Sequence, residues 1–141
     1  LMSSTFQRTL DFRRWMMVNK VRRMAKHNHK ELKIWKDSME VVKVIYTLAD
    51  KFPSEEQFAL RQQLIRSGIS IPSNIAEGSY RTTDKDFSRF LDIAMGSAAE
   101  AETQLMIAEW RGYISSDDLD GVVMKISEIQ KMTRIFQRKL N

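Results

Sequence analysis

The chain contains no cysteine. Neither a disulfide framework nor a thiolate metal site is available to it, which fits a reducing compartment. It has two histidines, His27 and His29, both ahead of the first apolar-periodic segment. Di-metal carboxylate bundles take Glu-x-x-His pairs from two helices, and neither histidine has an acid three residues earlier. His27-x-His29 therefore reads as a solvated linker, and no metal or cofactor is expected. With two prolines and five glycines in 141 residues, little stands in the way of long helices. No apolar run approaches the length of a membrane span. The first 26 residues are too charged in their middle for the apolar part of a signal peptide. A soluble, cytoplasmic protein with no membrane partner is the expectation. A nucleophile–base pair, a phosphate-binding loop and a dinucleotide fingerprint are all missing, so no enzyme is expected.

What is present begins with charge. The formal net charge is +5. Residues 1–23 hold Arg8, Arg13, Arg14, Lys20, Arg22 and Arg23 against Asp11 alone, so they account for all of it. The remaining residues balance. Met24 opens a run that resembles a natural start. Residues 1–29 are read as a basic N-terminal extension, non-native or disordered, and residues 30–141 as the domain. Phe6, Leu10, Arg13, Arg14 and Met17 would suit a basic helix within the extension. A chain of this length buries roughly 68–70% of its unfolded surface, enough for one real core.

Four apolar stripes with helical spacing follow. The first helix is predicted from near Lys30 to Lys51, with Leu32, Trp35, Met39, Val42, Ile45, Tyr46, Ala49 and Phe52 inward, and Pro53 stopping it. The second starts at Ser54, where Ser54-Glu55-Glu56-Gln57 reads as a capping box. It carries Phe58, Leu60, Leu64, Ile65, Ile69, Ile71 and Ile75 inward and ends near Glu77, with Gly78 as a left-handed cap. Pro72 withholds an amide from the carbonyl of Gly68, so a kink is predicted there. The third helix runs from Thr83 or Asp84 to Arg111, rich in small residues, and Gly112 ends it. The fourth starts at Ser115 or Ser116 and runs to Leu140. The predicted fold is all-α: an antiparallel up-down four-helix bundle, its second helix kinked at Pro72.

Basic residues recur at helical spacing on the predicted surfaces. Arg81, Lys85 and Arg89 form one stripe; Lys131, Arg134 and Arg138 a second; Lys26, Lys30 and Lys33 a third; Arg61 and Arg66 lie on the second helix. Such stripes can follow phosphates, although a solvated, ion-paired face is the commoner meaning of a charge run. Glu77, Glu100 and Glu102 are the acids nearest the unusual small-residue segments. Glu100 and Glu102, two apart on a helix, do not share a face. Asn74, Ser97, Glu100 and Thr103 are instead expected to form an interhelical hydrogen-bond network beside the proline. Met39, Val41, Ile93, Ile107 and Trp110 exceed what one buried stripe needs and suggest a second apolar surface.

Two segments carry a resemblance. Ile71-Pro72-Ser73-Asn74-Ile75-Ala76-Glu77-Gly78 is one, and Gly96-Ser97-Ala98-Ala99-Glu100-Ala101-Glu102-Thr103-Gln104-Leu105 the other. Leu32-Lys33-Ile34-Trp35, Phe52-Pro53 and Gly112-Tyr113-Ile114 add to them. Together they resemble the 23S rRNA intervening-sequence protein family, over about Glu31 to Leu140. The resemblance implies a bacterial four-helix bundle that assembles as a homopentamer, and no catalytic activity. It also implies RNA or DNA as a partner, and a reverse transcriptase by kinship with the accessory protein of diversity-generating retroelements. The loop Ser79-Tyr80-Arg81-Thr82-Thr83 carries one arginine where relatives often have more basic residues. The first function expected is a non-enzymatic, RNA-binding oligomer. The second is a protein-interaction scaffold that binds no nucleic acid.

Overall fold

A computed structural model describes residues 8–17 and 27–140. Among these residues the structure is all helix and turn. Helix α1 spans residues 8–17 and is exposed along its length, with Phe12 and Trp15 stacked at 6.0 Å between ring centroids. Four longer helices follow: α2 (Lys33–Ala49), α3 (Leu60–Ser79), α4 (Asp84–Trp110) and α5 (Ser116–Leu140).

Local chemistry explains most of the ends. Thr83 accepts a hydrogen bond from the Asp86 amide at 3.1 Å, and Asp84 and Asp86 place negative charge in the first turn of α4. Gly112 closes α4 with φ at 78°, the one left-handed residue among those described. The Tyr113 amide donates to the Ala108 carbonyl and the Gly112 amide to that of Glu109, each at 2.9 Å, the pair of bonds that a glycine cap provides. At α5, the Asp118 amide donates to Ser115 Oγ at 3.0 Å, while Asp118 Oδ2 accepts from the Ser115 amide at 3.2 Å. That is a reciprocal capping box with aspartate in the acidic role.

Three expectations are corrected. Ser54 does not cap α3: Ser54–Glu56 is a short 3-10 turn, and α3 begins only at Leu60. The Glu56 carboxylate takes the Leu60 amide at 3.2 Å instead, and Phe58 faces solvent. Gly78 is not a left-handed cap, since α3 continues to Ser79 and φ at Gly78 is not positive. A Cβ on Gly78 would lie 2.7 Å from Phe90 Cβ and 2.8 Å from Phe87 Cδ1; this glycine exists for close approach to α4. The buried face of α2 is turned from the expected stripe. It comprises Ile34, Ser38, Val41, Ile45, Leu48 and Ala49, leaving Met39 and Tyr46 exposed. Ser38 tolerates this burial because its hydroxyl donates to the Trp35 carbonyl at 2.7 Å.

The long helices contact one another in a closed ring: α2 on α3, α3 on α4, α4 on α5, α5 on α2, with α3 and α4 sharing the largest interface. Residue numbers rise along α3 as they fall along α4: Ser67 meets Gln104, Ser70 meets Ser97 and Gly78 meets Phe87. The ring encloses one core, in which Ile45, Leu64, Ile71, Ile75, Leu91, Leu105 and Ile126 are fully buried. Each such side chain contributes about 1.5–3 kcal/mol by leaving water. Helix α3 runs through Pro72, which is itself buried.

Candidate nucleic-acid interface

The start of α4 and the end of α5 lie together. Phe87 and Phe136 meet edge to face at 5.4 Å. Gln137 Nε2 donates to the Ser88 carbonyl and to Asp92 Oδ1, each at 3.0 Å. Arg134 Nη1 reaches the same Asp92 oxygen at 2.6 Å. Hydrogen bonds from Gln137 and from Arg134, then the guanidinium charge, hold the Asp92 carboxyl below its usual value. His27 also sits at this end, its ring 5.2 Å from Phe87 and 5.7 Å from Phe136. His29 packs on Trp35 at 5.2 Å and on Tyr80 at 5.9 Å. The two histidines are thus seated on the domain and are not the solvated linker that the sequence suggested. Among the described residues no three His, Cys, Asp or Glu side chains converge as metal ligands.

Two of the basic stripes therefore share one end of the helix ring. They are not equally available. Arg81 Nη2 pairs with Glu77 Oε1 at 3.1 Å, Arg89 Nε lies 3.9 Å from Asp86 Oδ1, and Arg134 is committed to Asp92. The guanidinium groups of Arg81 and Arg89 also stand over the Phe90 ring, 4.5 and 4.8 Å from its centre. Lys85, Lys131 and Arg138 are exposed, and among the described residues none of them has a carboxylate within salt-bridge distance. Arg61 and Arg66 are not brought to this end. Arg61 Nη2 pairs with Asp50 Oδ1 at 3.2 Å, at the far end of α2, and Arg66 borders a small depression with Phe58, Gln62 and Gln63.

The polar network beside Pro72 exists with different members. Asn74 Nδ2 donates to the carbonyl and the hydroxyl of Ser70, each at 2.8 Å, and Ser70 Oγ lies 2.8 Å from Ser97 Oγ. One turn away, Ser67 Oγ donates to Gln104 Oε1 at 2.6 Å, with both residues buried. Glu100 and Thr103 do not belong to it. Both are exposed, and Thr103 Oγ1 donates to the Ala99 carbonyl of its own helix at 2.9 Å. Ser73 and Glu77 are likewise exposed. The network ties α3 to α4 and leaves no carboxylate inside; Glu77, Glu100 and Asn74 do not converge.

Geometry of this kind defines a small all-α protein in which four long helices surround one apolar core. The sequence profile described as 23S rRNA-intervening sequence protein matches residues 30–134, and the chain belongs to that family. It is similar to the crystal structure of a protein with unknown function from the S23 ribosomal protein family of Bacteroides thetaiotaomicron. The two are 28% identical with a TM-score of 0.68, over 74% of this chain and 97% of that one. No protein of curated function matches the chain. No helix among the described residues is long and apolar enough to cross a membrane.

Proposed function

We propose that this chain is a non-enzymatic RNA-binding protein of the cytoplasm. Its four long helices form an antiparallel up-down bundle bent at Pro72, and copies of it assemble into a ring-like homopentamer. The observation that carries the RNA reading is the position of Lys85, Lys131 and Arg138. Among the described residues these three exposed cations have no acid partner. They stand on the first turn of α4 and the second half of α5, helices that meet through Phe87 and Phe136, while residues 24–141 as a whole carry equal numbers of acids and bases. His27, within the cationic N-terminal extension, is seated against Phe87 and Phe136 at the same end. The family's description, which ties it to an rRNA intervening sequence, supports RNA as the anion. One such patch binds phosphates weakly. Five copies around an axis would raise its affinity by avidity.

The test is a salt titration of the full chain with single-stranded RNA, beside the variant Lys85→Gln/Lys131→Gln/Arg138→Gln. These substitutions break no ion pair among the described residues. Neutralising one cation that meets a phosphate should lower the log–log salt slope by about 0.7, so the triple variant should be shallower by about 2. Arg13→Gln/Arg14→Gln separates the share of the extension. A full chain that binds no RNA at about 50 mM salt, or a triple variant with an unchanged slope, refutes the proposal.

A second reading is favoured by the outer face of α4. Ile93, Ile107 and Trp110 are exposed there, Trp110 at 78%, and Met39 is exposed on α2. Val41 leaves that set, being fully buried. Under this reading the chain is a protein-interaction scaffold, and the triple variant retains its function.

A further inference from the structure

We propose that this end of the molecule binds RNA as a single strand, with a base stacked on Tyr80 and its phosphates led past Arg81 and Lys85. The inference rests on the RNA reading and specifies the form of the nucleic acid. Tyr80 is 59% exposed although its backbone is fixed as the C-terminal cap of α3, its amide donating to the Glu77 carbonyl at 3.2 Å. Its ring is held as well. His29 packs beside it, tilted by 52°, and His29 is itself braced edge-on by Trp35. An aromatic surface is thereby presented to solvent with His29 at one side. Beside it lies a depression of about 420 Å³ lined by Ala76, Glu77, Tyr80 and Arg81.

The next residue continues the pattern. The Arg81 guanidinium is laid over Phe90, with Arg89 over the same ring. A guanidinium on an aromatic face is fixed as a plane; Nη2 of Arg81 is taken by Glu77 Oε1 at 3.1 Å, and its remaining N–H groups are what it offers a phosphate. Lys85, exposed on the first turns of α4, supplies a point charge that has no carboxylate partner among the described residues. One exposed aromatic face flanked by cations matches a nucleic acid whose bases are unstacked. A duplex keeps its bases paired and covers their faces, so it would meet the cations but not the platform. The paired duplex is therefore the discriminating control.

The experiment measures fluorescence anisotropy of the full chain with a labelled uridine oligonucleotide and with an RNA duplex of equal length. Three variants are compared: Tyr80→Ala, Tyr80→Leu and Tyr80→Phe. The wild type should prefer the single strand. Tyr80→Ala and Tyr80→Leu should each bind it about tenfold more weakly, the scale of one missing base stack, with the duplex affinity and the salt slope unchanged. Tyr80→Phe should bind like the wild type, because it keeps the aromatic face. Wild-type affinity for the single strand in Tyr80→Ala or Tyr80→Leu would overturn the stacking role while leaving RNA binding intact. Equal losses for strand and duplex, or weakened self-association without loss of RNA affinity, would overturn it too. A wild type that binds neither RNA rejects the RNA reading and this inference with it.

Discussion

Replacing Gly78 by alanine tests the packing of α3 on α4 more sharply than any core truncation. The added Cβ would stand 2.7 Å from Phe90 Cβ, 2.8 Å from Phe87 Cδ1 and 3.3 Å from the Phe87 carbonyl oxygen. Ordinary carbon–carbon contact is about 3.5–4.0 Å. Phe90 Cβ is next to the backbone and the Phe87 oxygen is part of it, so neither can swing aside. The two helices would have to separate by about an ångström along their largest interface, and overpacking of that kind costs about 1–3 kcal/mol. Alanine also brings a gain, since glycine inside a helix is disfavoured by about 0.5–1 kcal/mol. Gly96 supplies the control. It lies within α4, with nothing inside 4 Å of its would-be Cβ, so Gly96→Ala should show the gain alone. The propensity gain is common to both variants, and their difference isolates the steric cost of about 1–3 kcal/mol. Gly68→Ala should fall between them, because its closest neighbour is the terminal Cδ1 of Ile45, at 2.7 Å. Urea unfolding at one fixed protein concentration reads the order, since any self-association shifts apparent stability. A Gly78→Ala midpoint at or above that of Gly96→Ala would refute the close-approach argument.

Other perturbations read the polar contacts. Ser67→Ala leaves Gln104 Oε1 without its buried donor and should destabilise the fold by about 1–3 kcal/mol; pairing it with Gln104→Met should recover part of that loss. Urea unfolding that shows Ser67→Ala to be neutral would mean that this hydrogen bond does not hold the seam. Asp92 is depressed in the folded state, so its contribution is complete above the unfolded value near 3.8 and is lost as pH falls through the lower folded value. Asp92→Asn should therefore be less stable than wild type at neutral pH and decline less steeply in acid. Because the Asp92 side chain is 62% exposed, the difference should stay below about 1 kcal/mol, and identical acid limbs for the two proteins would contradict the assignment.

The parts of this fold that depend on neighbours in sequence are open to reading. Thr83, Ser115 and Gly112 act within one turn of where they stand, and their spacing announces them. Gly78 is not legible in this way, because its reason lies on another helix, in Phe87 and Phe90. Ser54 misleads for a similar cause. The Tyr113 hydroxyl, from beyond α4, reaches Glu56 at 3.4 Å, and its ring packs on Phe52, so contacts distant in sequence shape the entry to α3. The seam between α3 and α4 is half legible. Ser97 and Gln104 are seven apart and so share a face, whereas Glu100 and Thr103 fall on the outer side; heptad spacing is the available signal. For the basic stripes the residue types are visible and their availability is not. Arg134 is neutralised by an aspartate 42 positions away, a pairing that no local pattern contains.

Packing and the proposed site are joined through one side chain. Phe90 is the residue that Gly78 lets close against α3, and Phe90 is also the ring on which Arg81 and Arg89 lie. Arg81 follows Tyr80, which caps the helix containing Gly78. The orientation of the exposed ring and of both guanidinium groups is thus set by how deeply α4 seats against α3. The serine and asparagine contacts further along the same seam fix that depth at other points. The small and polar residues of this seam act as a gauge. They hold two helices at a separation short enough to stiffen a surface, and a stiff surface loses less entropy when it orders a flexible strand.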